Sequence, residues 1–496
     1  MIRRRTITSY VWNSVSGNKM VILSNCIRNF FRKFELLGNS MQGENPAPDN
    51  PQEIKSAGRK SKNLFNIADL RVGQVQKDGT INEKSTHSRT AILDVPEDGK
   101  YRIAFNSNDD YTMLYFAEMY TNGVYSQPYV RVHAGNSNSL ISLKKGKNIL
   151  SFSTYNNNTQ VDFPKDHNIM IAAESETLDY EPYGYLLDVK VTGKNLLDKS
   201  IILPLSSYDI KDGIYWRKYF YLLPNTDYLI RVTPHYTEKL VDTSGFLGVG
   251  EPYDNNLPNG IISLIPDVGT TDKTNYFRTD VTGKVILKFK DSANEENIRK
   301  MLEQVEITLA LKTFNNEHEP YTEQSVQITL DEPLRGIGDY KDVLTKDGVV
   351  RRIKQITVDE KSNLIFYTES KNTFGYLVKV PDATQTNYIY SVISDRFVKT
   401  QYIDSNDTNG VVTLFGKQII FRVSKEIANS IDALKEWLAN NNITFNYVLE
   451  SPITEPLPES VQQQLQALHS ENGMTHVLVD SGEVPCGINI EYKYKS

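Results

Sequence analysis

Cysteine is nearly absent from this chain of 496 residues, which contains only Cys26 and Cys486. Two distant thiols cannot build a disulfide framework, and they do not supply the ligands of a cysteine zinc site. The seven histidines are scattered, and none stands at the spacing of a metal-binding motif such as HExxH. We therefore predict no metal centre and no bound cofactor.

Long apolar runs and an excess of basic residues are also missing. Apolar stretches such as residues 261–265 have the length of a strand, well short of the roughly 18 residues that a membrane span needs. Lysine and arginine number 55 against 61 acidic residues, and the net charge of −6 disfavours nucleic acid as a partner. The segment after the arginines at 3–5 is too polar for a signal peptide. We expect no membrane span, no nucleic-acid partner and no cleavable export signal.

Aromatic residues make up 10% of the chain, which favours folded cores over disorder. Apolar and polar residues alternate in many short segments bounded by Gly, Asn, Asp or Pro, as strands and turns do. Helical spacing of apolar residues occurs in three segments, at 292–305, 425–438 and 459–468. Few helices among many short strands predict a mainly β protein built from β-sandwiches or jelly rolls, and not from parallel α/β layers.

Internal repeats divide the chain further. KNLFN at 62–66 returns as KNLLD at 194–198, and YEPY at 180–183 returns as HEPY at 318–321. Two more landmarks recur between these pairs in the same order, so chance is a poor explanation. We predict three β-sandwich modules, each long enough to bury its own core, at residues 61–185, 191–322 and 351–458. The third module is a diverged copy with one helix.

The remaining segments flank or join these modules. Residues 38–60 are rich in proline and glycine, which predicts an extended linker with little regular pairing. We interpret 1–37 as an N-terminal attachment segment, 323–350 as a connector and 459–496 as a C-terminal helix with strands. Apolar or strand-edge surface is expected at both ends, where a neighbouring subunit would cover it, in residues 21–37, 461–468 and 488–494.

Several of these landmarks resemble the sequences of one phage tail protein family. GNS at 38–40, with the prolines that follow and EIKSAG at 53–58, is similar to the family's opening GNS…GTPTPDxPxEIxSxG. Further matches are KNLF at 62–65, YEPYG at 180–184, LDEPLRGIGDYKD at 330–342, VVRRI at 349–353 and ITFNYVLESPITEPL at 443–457. The family consists of baseplate and tail-fibre-type structural proteins of phages and prophages of Gram-positive bacteria. The resemblance implies a virion structural role and a fold of tandem jelly-roll β-sandwiches that resemble carbohydrate-binding modules. It implies no catalytic residue.

Sugar binding is the site hypothesis with a chemical rationale. Aromatic faces pack on the C–H side of a pyranose, while amide and carboxylate groups bond its hydroxyls. The candidate glycan-binding residues combine aromatic rings with polar neighbours, and they are Tyr215, Trp216, Tyr219, Tyr253, Asn255 and Asn256. Packing of these aromatic residues in a core or an interface is the alternative interpretation.

No catalytic or metal-binding residue is assigned from the sequence. Asp109 and Asp110 could supply the two carboxylates of a glycosidase, but their Asn- and Ser-rich surroundings are typical of a turn. The acidic segment that starts at Asp404 resembles a calcium loop, yet Phe415 stands where the bidentate glutamate belongs.

The combined prediction is a non-enzymatic structural component of a phage tail or baseplate, located in the virion. Its expected partners are further copies of itself, with a trimer favoured, other tail proteins and host cell-surface polysaccharide. Two alternatives stay open, namely a carbohydrate-binding adhesin of a bacterial cell and a tail-associated cell-wall glycosidase. The missing export signal disfavours the first, and the missing catalytic motif disfavours the second.

Overall fold

The structure is a computed structural model that describes residues 19–495 with internal gaps. The gaps are 76–79, 84–87, 107–113, 122–123, 134–138, 155–167, 177–179, 205–209, 212–214, 236–247, 251–272, 282, 291–294, 314–317, 385–390 and 401–407. The described residues are mainly β, as the sequence predicts. Their α-helices are Glu295–Glu303, Ile431–Leu438 and Glu459–Ala467, and the 3₁₀ helices are Ile67–Asp69 and Lys199–Ile202. Within the described residues, no helix is long and apolar enough to cross a membrane.

Contacts divide the chain into two compact units. The smaller unit contains residues 59–186 and 329–333, and the larger unit contains the rest. The prediction of three modules is not decided by this division, because the larger unit holds more than one separate core cluster.

The smaller unit is built from two antiparallel sheets around one core. The first sheet has the strand order Val124–His133, Leu114–Thr121, Gly146–Thr154, Ser88–Val95, Arg71–Val72. The second has the order Ser139–Leu143, Gly99–Asn106, Asn168–Ala173. Alternate residues of both sheets, such as Leu93, Leu150, Ile103 and Ile171, are buried in the shared core. Short pairs complete the unit, joining Arg59–Lys60 to residues 185–186 and Gln74–Val75 to Ile81–Asn82.

Residues 191–322 of the larger unit repeat this arrangement. One sheet has the order Ile210–Lys211, Tyr215–Tyr221, Lys284–Lys290, Gly248–Gly250, and the other has Lys273–Arg278, Asp227–Pro234, Val305–Leu311. The three-stranded sheets of the two regions therefore share one strand order and antiparallel pairing throughout. The core differs in one respect, because Met20 and Met474 from distant strands complete it.

A third pair of sheets encloses a core rich in aromatic side chains. The six-stranded sheet has the order Val392–Ser394, Ile443–Pro456, Gly348–Val358, Val343–Leu344, Lys33–Leu37, Gly487–Glu491. The five-stranded sheet has the order Leu364–Glu369, Thr373–Lys379, Gln418–Ser424, Val411–Phe415, Val398–Lys399. Phe397, Phe421 and Phe445 pack ring against ring between the sheets. The helix Ile431–Leu438 begins after Ser430, whose hydroxyl accepts a hydrogen bond from the backbone of Ala433.

Strands from the two ends of the chain pair with each other. Lys19–Cys26 pairs with Gly473–Asp480, which continues into a sheet with Tyr185–Thr192 and Glu323–Leu330. Lys33–Leu37 pairs with Gly487–Glu491, and Asn29–Phe30 pairs with His469–Ser470. Lys19–Cys26 and Gly487–Glu491 each stand at the edge of their sheet among the described residues, with a partner strand on one side. The expectation that a neighbouring subunit covers residues 21–37 and 488–494 stays a prediction.

The predicted linker at 38–60 is also more regular than expected. Ser40–Met41 pairs with Lys55–Ser56, and Ala57 forms a bridge with Leu334. Gly336–Ile337 pairs with Tyr340–Lys341 in the connector. Proline and glycine therefore shape turns between paired residues here instead of leaving an extended chain.

Candidate functional site

The predicted glycan-binding residues are only partly within the described structure. Tyr215, Trp216 and Tyr219 belong to the strand Tyr215–Tyr221, which pairs along its length with Lys284–Lys290. Tyr253, Asn255 and Asn256 lie outside the described residues. The role of the six residues in sugar binding therefore stays a prediction.

The repeated KN landmark forms a hydrogen-bonded clamp. In the smaller unit, the Nδ2 of Asn63 donates to the carbonyls of Ile169 and Glu181 at 3.0 Å each. Its Oδ1 accepts from the backbone amides of Phe65 at 2.9 Å and Ile171 at 3.0 Å. Asn63 thus ties its own segment to the last strand of the unit and to the YEPY turn.

Asn195 makes the equivalent bonds in the larger unit. Its Nδ2 donates to the carbonyls of Ile307 at 2.9 Å and Glu319 at 3.1 Å, and its Oδ1 accepts from the amides of Leu197 and Leu309. Both asparagines are buried, with 2% of their surface exposed to solvent. Buried amides with this many partners hold backbone segments together, so the landmark is structural.

A second clamp joins motif segments within the larger unit. The buried carboxylate of Asp342 accepts from the backbone amides of Arg335, Arg352 and Ile353 at 2.7–3.0 Å. Arg351 approaches the same carboxylate at 3.3 Å. The charge of Asp342 is therefore balanced by hydrogen bonds that connect residues 335–342 to the following strand.

Gly38 packs against the same region. Its amide donates to the carbonyl of Asp342 at 2.8 Å, and a Cβ at this position would collide with the backbone of Arg335. Only glycine allows two backbones to approach this closely. The GNS segment, the IGDY segment and the VVRRI segment consequently meet in one place.

The third pair of sheets contains a cleft. It has a volume of about 420 Å³ and is lined by residues of both sheets and of the turns that follow them. Lys354 and Ile356 come from Gly348–Val358, Val378 from Thr373–Lys379, and Asp382 from the turn beyond it. Its volume falls within the roughly 300–1,000 Å³ that is usual for small-molecule sites.

Asp382 is the fixed charge of this cleft. Its Oδ2 accepts from the Lys354 ammonium at 2.5 Å, and its Oδ1 accepts from the Tyr447 hydroxyl at 2.7 Å. Lys354 and Tyr447 are cross-strand neighbours, so the sheet itself positions both donors. Burial raises the pKa of Asp382, but the hydrogen bonds outweigh it and hold the pKa below the usual range. Burial together with the carboxylate raises the pKa of Tyr447.

Sequence reasoning did not identify this cleft. Lys354 and Asp382 are 28 positions apart, and neither belongs to a recognisable motif. The one available signal was the turn-forming pair Pro381-Asp382 after an alternating segment, which indicates a strand end and no chemistry.

Neither a scan against protein-family models nor a search of curated proteins returned a match. Among the residues that the structure describes, no three His, Cys, Asp or Glu side chains come together as ligands for a metal ion.

Proposed function

We propose that this chain is a non-enzymatic structural component of a phage tail or baseplate. The observation that supports the proposal most is the meeting of the GNS, IGDY and VVRRI segments around Asp342. These segments carry much of the resemblance to tail proteins, and here they act as framework. Because the residues that carry the resemblance hold backbone segments together, they favour a scaffolding role over a catalytic one.

The finer fold assignment belongs to the same proposal. We take each pair of sheets to be a jelly-roll β-sandwich of the carbohydrate-binding-module type. The burial of alternate residues of facing sheets in the smaller unit supports this assignment. We further propose a homotrimer that is held by other tail proteins and contacts host cell-surface polysaccharide. Light scattering on the full chain should then give three times the 56.5 kDa of one chain.

Localisation in particles tests the proposal directly. Antibodies raised against the purified chain should label the tail end of particles produced by a strain that encodes it. Particles from a strain lacking the gene should show no label, and complementation with the intact gene should restore it. An Asp342→Ala variant, which loses the clamp, should restore the label poorly. Chain found only in the cell envelope, with no label on particles, would refute the proposal and favour the adhesin.

A further inference from the structure

The cleft is lined by both apolar and polar side chains. Ile356, Val378 and Pro381 are among the lining residues that supply hydrocarbon surface. Ser362 and Asn363, in the turn after the strand Gly348–Val358, add a hydroxyl and an amide to the lining. A ligand that fits such a cleft must itself combine a C–H face with hydrogen-bonding groups.

The carboxylate of Asp382 has unused acceptor capacity. A carboxylate offers about four lone-pair sites, of which the Tyr447 hydroxyl, the Lys354 ammonium and the backbone amide of Asp382 itself occupy three. The Asp382 side chain keeps 36% of its surface exposed, so a ligand can reach the remaining site. Because Lys354 and Tyr447 are cross-strand neighbours in the sheet, the carboxylate is held in one orientation before any ligand arrives.

The charges select the class of ligand. The lining carries the carboxylate of Asp382 and the ammonium groups of Lys354 and Lys379. A phosphate or carboxylate ligand would lie beside Asp382 and compete with it for Lys354, and an apolar ligand would strip water from the charged groups without replacing it. A polyhydroxylated ring avoids both penalties, because its hydroxyls donate to Asp382 and accept from Lys354 and Asn363. Its C–H face covers the apolar side chains of the lining.

We propose that the cleft between Lys354, Asn363 and Asp382 binds one or two residues of a neutral saccharide. This site does not depend on the proposed role in a tail, since saccharide binding is measured on the purified chain alone.

Saturation-transfer NMR on the full chain tests the proposal. The probes are glucose, galactose, rhamnose, N-acetylglucosamine and their β-linked disaccharides, with glycerol 3-phosphate and inorganic phosphate as anionic probes. We expect transfer to at least one neutral saccharide and none to the anions. Asp382→Ala and Asn363→Ala should each weaken that binding at least tenfold. Asn363 is exposed in a turn, so its variant stays informative even if Asp382→Ala fails to fold.

A matched control lies in the same pair of sheets. Glu450 forms an ion pair with Lys417 at 2.6 Å but does not line the cleft, so Glu450→Gln should bind as the unaltered chain does. The proposal is overturned if no neutral saccharide binds, if binding survives both cleft variants, or if only the anionic probes bind. Loss of binding in Glu450→Gln to the same extent would also overturn it.

Discussion

The side-chain amides of Asn63 and Asn195 have equivalent partners in two regions that share little sequence. Each amide bridges the last strand of its region and the Glu-Pro turn beyond it. The Glu side chain of each turn is used as well, since Glu181 pairs with Arg59 at 2.9 Å and Glu319 with Lys194 at 3.5 Å. The landmark residues of the repeat are therefore those whose loss the local fold tolerates least.

Replacing Asn63 by alanine should destabilise the smaller unit by about 3 kcal/mol, because buried backbone groups lose a partner and cannot reach water. Asn66→Ala is the control, since Asn66 caps only an exposed 3₁₀ helix and should cost about 1 kcal/mol. Urea unfolding followed by circular dichroism measures both. Equal midpoints for the two variants would show that the clamp is dispensable.

His476 should make the larger unit sensitive to acid. Its side chain is buried, and burial lowers its pKa to about 4, although Nδ1 donates to the carbonyl of Gly193 at 2.8 Å. The unfolded value of 6.5 is higher, so the unfolded chain takes up the proton first. Stability is full above pH 6.5 and falls as the pH drops towards 4, by about 3 kcal/mol in total.

The measurement is the free energy of unfolding at several pH values between 7 and 4. His476→Gln, which cannot take up a proton in this range, should flatten the dependence on pH. His235 is the matched control, because it is exposed and paired with Glu306 at 3.2 Å. A His235→Gln variant that flattens the curve as much as His476→Gln would contradict the assignment.

The sequence indicated which residues recur but not what they do. Asn63 was recognised as a landmark, yet its acceptors at Ile169 and Glu181 lie 106 and 118 positions away. The Lys354–Asp382–Tyr447 group escaped notice for the same reason, since no local pattern predicts a contact between a strand and a distant turn. Periodicity describes the faces of an element and contains no information about its partner.

At the level of elements, local sequence patterns predicted the helices more accurately than they predicted contacts between distant residues. The predicted helices at 292–305 and 459–468 correspond to Glu295–Glu303 and Glu459–Ala467. The one predicted at 425–438 begins later, at Ile431, because Ser430 caps it. Strand pairing was not predictable, because the register of Lys19–Cys26 is set by residues more than 440 positions away.

The reactivity of the two cysteine thiols shows whether these distant strands are paired. Cys26 and Cys486 are both buried, and burial raises the pKa of each thiol to about 11. We expect neither thiol to react with a disulfide reagent at pH 8 in the folded chain, and both to react in urea.

A shortened chain makes this test specific. Cys26 forms a bridge with Tyr494, so a Cys486→Ser chain that ends at residue 486 should expose Cys26 and raise its reaction rate at least tenfold. The same chain with Cys26→Ser should show no labelling. Unchanged protection of Cys26 in the shortened chain would mean that other residues cover it.

At the scale of the whole molecule, the sequence repeats suggest modules of the same construction. The two repeated regions differ, however, in whether residues from outside the region contribute to the core. The core of residues 59–186 draws its members from that range alone. The core of residues 191–322 includes Met20 and Met474, with Ile22 and Leu478 packed against it. The sequence repeats therefore predicted where these two cores lie. They did not predict that side chains from distant strands complete the core of residues 191–322.

Separate expression of the two regions should show this difference. Residues 59–186 should unfold cooperatively on heating, whereas residues 191–322 lack four apolar side chains from their core cluster. That loss amounts to about 5 kcal/mol, comparable to the whole stability of many domains. Calorimetry on both fragments measures it, and equally sharp transitions at similar temperatures would contradict the expectation.

The pairing of Lys19–Cys26 with Gly473–Asp480 also has a consequence for the time course of synthesis. A ribosome that adds about 5–20 residues per second needs roughly 20–90 s to make the residues between these strands. During that interval Val21 and Leu23, which are buried in the finished fold, have no partner strand to cover them. The strand Lys33–Leu37 can pair with Val343–Leu344 earlier, but its other edge waits for Gly487–Glu491. A chain that stops short of residue 473 leaves Lys19–Cys26 without its partner strand and one edge of Lys33–Leu37 unpaired, so closure of these sheets distinguishes truncated copies before they reach any partner.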